Sequence, residues 1–406
     1  MSDNQTKSLA ITNAIVVLPN SVLDRGAVGI SDGRIAEVVS SSEPLVGRYE
    51  EWLDARGAYL MPGIIDVHND GLEVEVNPRP ETNLPVEMAL ANMEMRLLAS
   101  GVTTEFHAIA FMDNERSKRT LDGAVKKAAL LAEYVSHGTQ LVDNQILHRL
   151  DVWSPQSLDS IFESLDRMSV KYISINDHTP GQGQYRNLDG FKERMQAWAE
   201  RRGGVHGLDT IEQRMSDRAA DTETIPMVYG RILDEMQRSP FTIASHDDDS
   251  PEKVDTLWQL GARVSEFPVD VDTARRARER GMTIVVGAPN IVRGGSSSGN
   301  QDASELFSLG LADAICADYH APSLLPSAFR LVDEGIVDLP AAVRSLGYNA
   351  AKALRLEGLG AIETGCIADV ILVRREGRGI PLVERVLRGG REIMALRAAS
   401  RVEVTV

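Results

Sequence analysis

The sequence predicts a (β/α)₈ barrel flanked by a small β-sandwich that both chain ends build together. Three observations carry this. Between residues 59 and 358, eight short apolar runs alternate with stretches of helical periodicity. Both ends of the chain read as short strands and turns, and neither has enough strand to bury a core alone. Seven of the eight runs end in an ionisable side chain, and a parallel barrel gathers its reactive groups at that end of its strands. The predicted division is 1–58 and 359–406 for the sandwich and 59–358 for the barrel.

In chain order, Leu9–Leu18 is β-rich, Pro19-Asn20 turns, and Ala27–Ile30 resumes as strand. Asp32-Gly33 before Arg34–Val39 is a strong two-residue hairpin signal. The eight barrel runs are 63–70, 102–110, 142–152, 171–178, 241–248, 262–268, 283–288 and 313–318. Pro85–Leu98 shows the helical spacing expected between them. The 178–241 connection is long and polar, and is read as an insertion or lid over the site. At the far end, Ala368–Val373, Leu382–Leu387 and Arg391–Met394 return to strand, with Gly389-Gly390 as a turn. A doubly wound open sheet is the competing architecture, but no Gly-rich dinucleotide fingerprint follows the first run.

Composition narrows the function. Hydrophobic residues make up 43%, ordinary for a globular protein of this length. A net charge of −16 argues against nucleic acid or an anionic membrane as partner. It does not exclude a small anionic substrate, because a bound cation and a few arginines reverse the field locally. Cys316 and Cys366 are the only cysteines and have no CxxC spacing, so a disulfide framework is not expected and a reducing cytoplasm is. Met1–Lys7 lacks the pattern of a secretory signal, and no apolar run approaches the roughly 18 residues of a membrane span. A homo-oligomer stays open.

The densest chemistry lies in Asp66-Val67-His68-Asn69-Asp70, after the strand formers Ile64 and Ile65. Strand alternation would put Asp66, His68 and Asp70 on one face, where imidazole and carboxylate grip a divalent cation together. Later runs end at His107, at Arg149 and Asp151, at Asp177-His178, at His246–Asp249, at Glu266 and at Asp318. For His107, His148 and Glu266 a structural role is the leading expectation, since strand-end polar groups often cap or pair locally. His68, His178, His246 and Asp318 together point to one or two divalent ions, because imidazoles and carboxylates converging at one rim stay poorly paired without a cation. Zinc suits such donors, as do manganese and iron. The metal lowers the pKa of a bound water towards neutrality. Asp318 suits the base that takes the water's proton, and Asp151 suits a bridging carboxylate. No lysine ends the fourth run (Lys171 stands at its start), which argues against a carbamylated-lysine bridge.

Gly287–Asn300 supplies glycine amides, three serine hydroxyls and Arg293 in what reads as a flexible turn. Asn290, Arg293, Gly294 and Gly295, with Arg149, are the candidate cradle for a phosphorylated substrate. Arg79 and Arg186 are weaker candidates of the same kind.

Met61–His68 and Gly365–Val373 resemble the amidohydrolase superfamily. Within it, His68–Glu73, Asn77–Pro80, Asp177–Gln182, Ala244–Asp248, Glu266–Pro268, Gly287–Gly295 and Ser298–Asn300 are similar to the phosphonate-metabolism branch, the α-D-ribose 1-methylphosphonate 5-triphosphate diphosphatases. The resemblance implies hydrolysis between the α and β phosphoryl groups with release of pyrophosphate. It implies His68, Asp70, Asp151, His178 and His246 as metal ligands and Asp318 as the acid/base. The chain departs from the usual pattern in carrying Asp70 for the second histidine of His-x-His, a feature of the branch. It also carries Asp151 for a longer glutamate, His107 for an aspartate, and Ser297 for a histidine. An amidohydrolase or deacetylase acting on a C–N bond of a small anionic substrate is the second reading. A non-catalytic binding protein on the same fold is the third.

Overall fold

The computed structural model describes residues 8–79, 82–113, 120–179, 182–183, 215–296 and 299–396. Its strands form two eight-stranded sheets. The first takes β1 (Leu9–Val17), β2 (Val22–Ser31), β3 (Arg34–Val39), β4 (Glu51–Asp54) and β5 (Tyr59–Pro62) from the start of the chain. From its end come β14 (Val370–Arg374), β15 (Leu382–Arg388) and β16 (Arg391–Ala395). Its order is β16-β15-β14-β5-β1-β2-β3. β4 and β5 lie in succession along one edge of β1, opposite residues 9–12 and 15–16. β4, which the sequence reading did not anticipate, is short and mostly exposed, so it carries little hydrophobic pattern.

Two turns set the hairpin registers. Asp32 and Gly33 have φ of 51° and 75°, and Ser31 faces Arg34 across them. Gly389 and Gly390 repeat this at 53° and 74° between Arg388 and Arg391. Positive φ at both central residues matches the strand twist, which is why Asp-Gly and Gly-Gly stand there. Ile11, Val28, Ile30, Ile35, Leu60, Val370 and Leu372 share one buried cluster, so chain ends far apart in sequence complete one core.

The second sheet is the barrel. It contains β6 (Ile64–Asn69), β7 (Val102–Ala110), β8 (Asp143–Asp151), β9 (Tyr172–Asn176), β10 (Thr242–His246), β11 (Val264–Glu266), β12 (Thr283–Gly287) and β13 (Ala314–Cys316), parallel and paired in sequence order. β13 returns to β6: the Asp318 amide donates to His68 O at 2.9 Å and the Asp70 amide donates to Asp318 O at 2.6 Å. Tyr59–Pro62 still pairs in the terminal sheet, and the barrel begins after Gly63.

Alternation separates two cores. Ile65, Val67, Phe106, Ala108, Leu147, Tyr172, Ala244, Val264, Val285, Ala314 and Cys316 fill the interior. Ile64, Ile109, Ile146, Ile173, Ile243, Ile284 and Ile315 pack outwards on the helices. Both faces are covered, so the strands read as nearly continuous apolar runs. The helix Tyr348–Leu354 packs Ala350, Ala351 and Leu354 onto the interior cluster near the start of β6, leaving the opposite end for chemistry. Cys316 is buried and Cys366 half-buried, both as free thiols. Among the described residues, no helix is long and apolar enough to cross a membrane.

Candidate metal and catalytic site

At the C-terminal ends of the barrel strands, His68, His246 and Glu266 converge. One donor atom of each lies within 4.8 Å of the others. Glu266 Oε2 is 3.2 Å from His68 Nδ1 and 3.1 Å from His246 Nδ1. The two imidazoles stack with centroids 5.2 Å apart, and Phe267 sets its ring edge-on to both at 5.1 Å. Tyr172 Oη and Ser174 Oγ donate to the two oxygens of Glu266 at 3.0 and 2.7 Å, fixing its plane. Side-chain exposure is 1% for His68, 7% for His246 and 0% for Glu266.

The electrostatics call for positive charge here. Burial would raise the Glu266 carboxyl, yet His68 and His246 hold it well below the usual carboxylate range. Burial also opposes the His68 imidazolium, but Glu266 and then Asp70 raise its pKa above the ordinary value. His246 moves the other way, lowered chiefly by burial. His68 Nδ1 is buried without a hydrogen bond of acceptable geometry, although Glu266 is near. Two imidazole nitrogens and a carboxylate oxygen, one of them unsatisfied, form a donor set that fits a divalent cation such as zinc.

Around this triad stand the other groups. Asp70 Oδ1 is 4.0 Å from His68 Nε2 and accepts from Arg149 Nη1 at 2.9 Å. Arg149 also reaches Asn176 Oδ1 at 3.0 Å and His246 Nε2 at 3.4 Å. Burial disfavours its charge, but Asp70, Glu73, Glu266 and Asp247 more than offset that. Asp318 follows β13 at φ 58°, a left-handed backbone that a non-glycine residue adopts at a cost and that barrel closure enforces. Burial, with Asp70 and Asp247, pushes its carboxyl up to about 6 against the pull of His68 and Arg149. Asp151 Oδ2 lies 2.8 Å from His178 Nδ1, a second acid–imidazole pair outside the triad. Burial would raise Asp151, but His178 holds it below its ordinary value.

Several expectations shift. Asp66 does not share the ligand face. The pairing of β6 with β7 changes register between Asp66 and Asn69, and Asp66 accepts instead from Ala317 N at 2.8 Å. Burial lifts it to about 7, and lifts its neighbour Glu105 well above the ordinary range. His107 and His148 point into the barrel wall, bonded to Asn144 Oδ1 at 2.8 Å and Ser164 Oγ at 2.9 Å. Glu266, expected to be structural, stands at the centre of the cluster. The signal that finds it is its place at the last position of a barrel strand.

The Gly287–Asn300 segment is not an open cradle at its start. Ala288–Arg293 is helical, and the amides of Gly294 and Gly295 both donate to Asn290 O, at 3.1 and 3.0 Å. The Asn290 side chain ties the segment to Gln301 O at 3.0 Å and Ala303 N at 3.1 Å. Arg293 is exposed at the end of that helix. Ser297, Arg186 and most of the 178–241 connection lie outside the described residues.

No protein-family model matches the chain. It is 32% identical over 390 residues to the alpha-D-ribose 1-methylphosphonate 5-triphosphate diphosphatase of Escherichia coli (strain K12), a match covering 95% of this chain and 100% of that one. Among solved structures it is similar to the N-acetylglucosamine-6-phosphate deacetylase of Pasteurella multocida, with a TM-score of 0.63, 13% identity and coverage of 96% and 100%. It is also similar to an enamidase described as a new member of the amidohydrolase superfamily, with a TM-score of 0.60, 15% identity and 96% of each chain covered. At such identities these structures speak for the fold alone.

Proposed function

The chain belongs to the amidohydrolase superfamily and, within it, to the α-D-ribose 1-methylphosphonate 5-triphosphate diphosphatase family; on that premise we propose that this hydrolase splits the α–β phosphoanhydride of a ribose 1-alkylphosphonate 5-triphosphate. The observation that carries the reading is a triad of His68, His246 and Glu266 with a raised aspartate beside it, in a chain that matches the diphosphatase over its whole length.

His68, His246 and Glu266 would hold a divalent ion, zinc by preference, with Asp70 beside them; Asp151 and His178 are the proposed ligands of a second. The ion supplies a water acidified towards neutrality and an electrophilic contact for a phosphoryl oxygen. The residues do the rest. Asp318 takes a proton from the attacking water, which needs it ionised and therefore a pH above its own pKa. The new bond joins the water oxygen to the α-phosphorus. The bond from that phosphorus to the α–β bridging oxygen breaks, and pyrophosphate leaves. Arg149, held between Asp70 and Asn176, offers a fixed charge for the non-bridging oxygens. Arg293 is proposed to meet the distal phosphates from the rim. The small anionic phosphorylated substrate offsets its charge on these groups despite the chain's acidic balance.

The test is phosphorus NMR of the metal-reconstituted protein with ribose 1-methylphosphonate 5-triphosphate. Pyrophosphate and the 5-phosphate are expected. Stepwise release of orthophosphate would refute the assigned bond. No turnover here, with acetate or amine released from an N-acyl substrate, would favour the C–N reading.

A further inference from the structure

Asp66 is a fully buried acid that the chemistry above does not use. Its Oδ1 accepts from Ala317 N at 2.8 Å and from His68 N at 3.4 Å, and its Oδ2 accepts from Asn69 Nδ2 at 3.3 Å. Three donors converge on two oxygens, so both oxygens serve as acceptors. Ala317 immediately precedes Asp318 in the chain. One side chain on the first barrel strand therefore ties down the segment that leaves the last one and carries Asp318.

Asp318 needs such a tie. Its φ of 58° is a left-handed conformation that a non-glycine residue keeps only where its surroundings impose it. Three hydrogen bonds impose it here: Ala317 N to Asp66 Oδ1, Asp318 N to His68 O at 2.9 Å, and Asp70 N to Asp318 O at 2.6 Å. The last two join backbone to backbone, and only the first depends on a side chain. On the other side of Asp318 stands Gly287, at the end of β12. A Cβ there would lie 3.3 Å from Asp318 Oδ2, 3.4 Å from Asp318 Cβ and 3.5 Å from Phe267 Cε1. Gly287 has a φ of −81°, which any residue adopts, so the site uses its missing side chain and not its backbone freedom.

We propose that Asp66 and Gly287 are positioning residues for Asp318: Asp66 anchors the backbone that carries it, and Gly287 leaves the slot that its carboxyl occupies. Neither meets the substrate. Asp318 as the base rests on the hydrolytic reading above; the anchor and the slot rest on the contacts alone. A base must stand within hydrogen-bond reach of the proton it takes, and a displacement of about 1 Å can cost on the order of 10² in rate. Asp66→Asn keeps the size of the side chain but exchanges one acceptor for a donor. Its Nδ2 then faces either Asn69 Nδ2 or Ala317 N, and in both orientations a buried donor meets a donor.

In the full, metal-reconstituted chain, Asp66→Asn should lower kcat about 10- to 100-fold, with KM within about twofold and metal content unchanged. The loss should vanish in the Asp318→Asn background, because a residue that acts only through Asp318 then has nothing left to position. A kcat equal to wild type, an undiminished loss in that background, or metal lost in step with activity would each overturn the role of Asp66. Gly287→Ala repeats the cycle from the opposite side and serves where Asp66→Asn does not fold. A fall of about tenfold in kcat, absorbed by Asp318→Asn, is expected of it, and a wild-type kcat would overturn the slot. Hydrogen–deuterium exchange reads the anchor without turnover. The Ala317 amide should exchange about tenfold faster in Asp66→Asn, and unchanged exchange would overturn the anchor whichever bond the enzyme splits. Faster exchange there, together with full activity in Asp318→Asn, would sink Asp318 as the base and leave the anchor standing.

Discussion

Glu266 Oε2 stands 3.2 Å from His68 Nδ1, joining the sixth barrel strand to the first across the mouth of the barrel. Neither residue is near the other in sequence, and Glu266 also holds His246 at 3.1 Å. One carboxylate therefore orients two imidazoles, and itself takes hydrogen bonds from Tyr172 and Ser174 that leave it little freedom.

Glu266→Gln keeps the shape and removes the charge. Metal content by elemental analysis should fall to a small fraction of the wild-type value, and kcat/KM by about a hundredfold or more, the upper range for lost ligand-shell groups. Full metal occupancy in this variant would remove Glu266 from the ligand set.

Asp318→Asn should separate chemistry from metal binding. The carboxyl sits at about 6, so it is ionised and able to accept a proton above that pH and protonated below it. Activity should fall as pH drops through the neighbourhood of 6. The variant should keep its metal, lose about 10²–10⁴ in kcat and lose this acid limb. An unchanged kcat would dismiss Asp318 as the base.

The eight apolar runs coincide with the eight barrel strands to within a few residues because both sheet faces are buried and the pattern is loud. The hairpin at Asp32-Gly33 was legible for an equally local reason, the positive φ that its turn demands. The site was less legible. Alternation misplaced Asp66, because the register of β6 against β7 shifts before Asn69, where Asn69 bridges to Asp318 from the last barrel strand, far away in sequence. Glu266 carries one local mark, its place at the last position of a barrel strand, and a three-residue strand does not by itself tell a ligand from a structural acid. The helix at Ala288–Arg293 hid behind glycines that lie after it.

Arg293→Ala tests the rim. The side chain is exposed, so stability should change by less than about 0.5 kcal/mol. KM for a phosphorylated substrate should rise about five- to tenfold with kcat nearly constant, the mark of a contact made equally in ground and transition states. Equal effects on a neutral ester would argue against a phosphate contact.

His107 and His148 should make the fold acid-sensitive. Burial lowers each from 6.5 to about 4, with hydrogen bonds to Asn144 and to backbone carbonyls opposing. Both stay neutral in the folded wall, while the unfolded chain protonates them below about 6.5. Their contribution is fully present above that pH and is lost as pH falls towards 4, by an order of magnitude of about 3 kcal/mol each. Thermal melts should drop between pH 7.5 and 5, and the drop should shrink in His148→Gln, which can still bond Ser164. An identical pH dependence in wild type and His148→Gln would show that His148 protonates as readily inside the barrel wall as outside it.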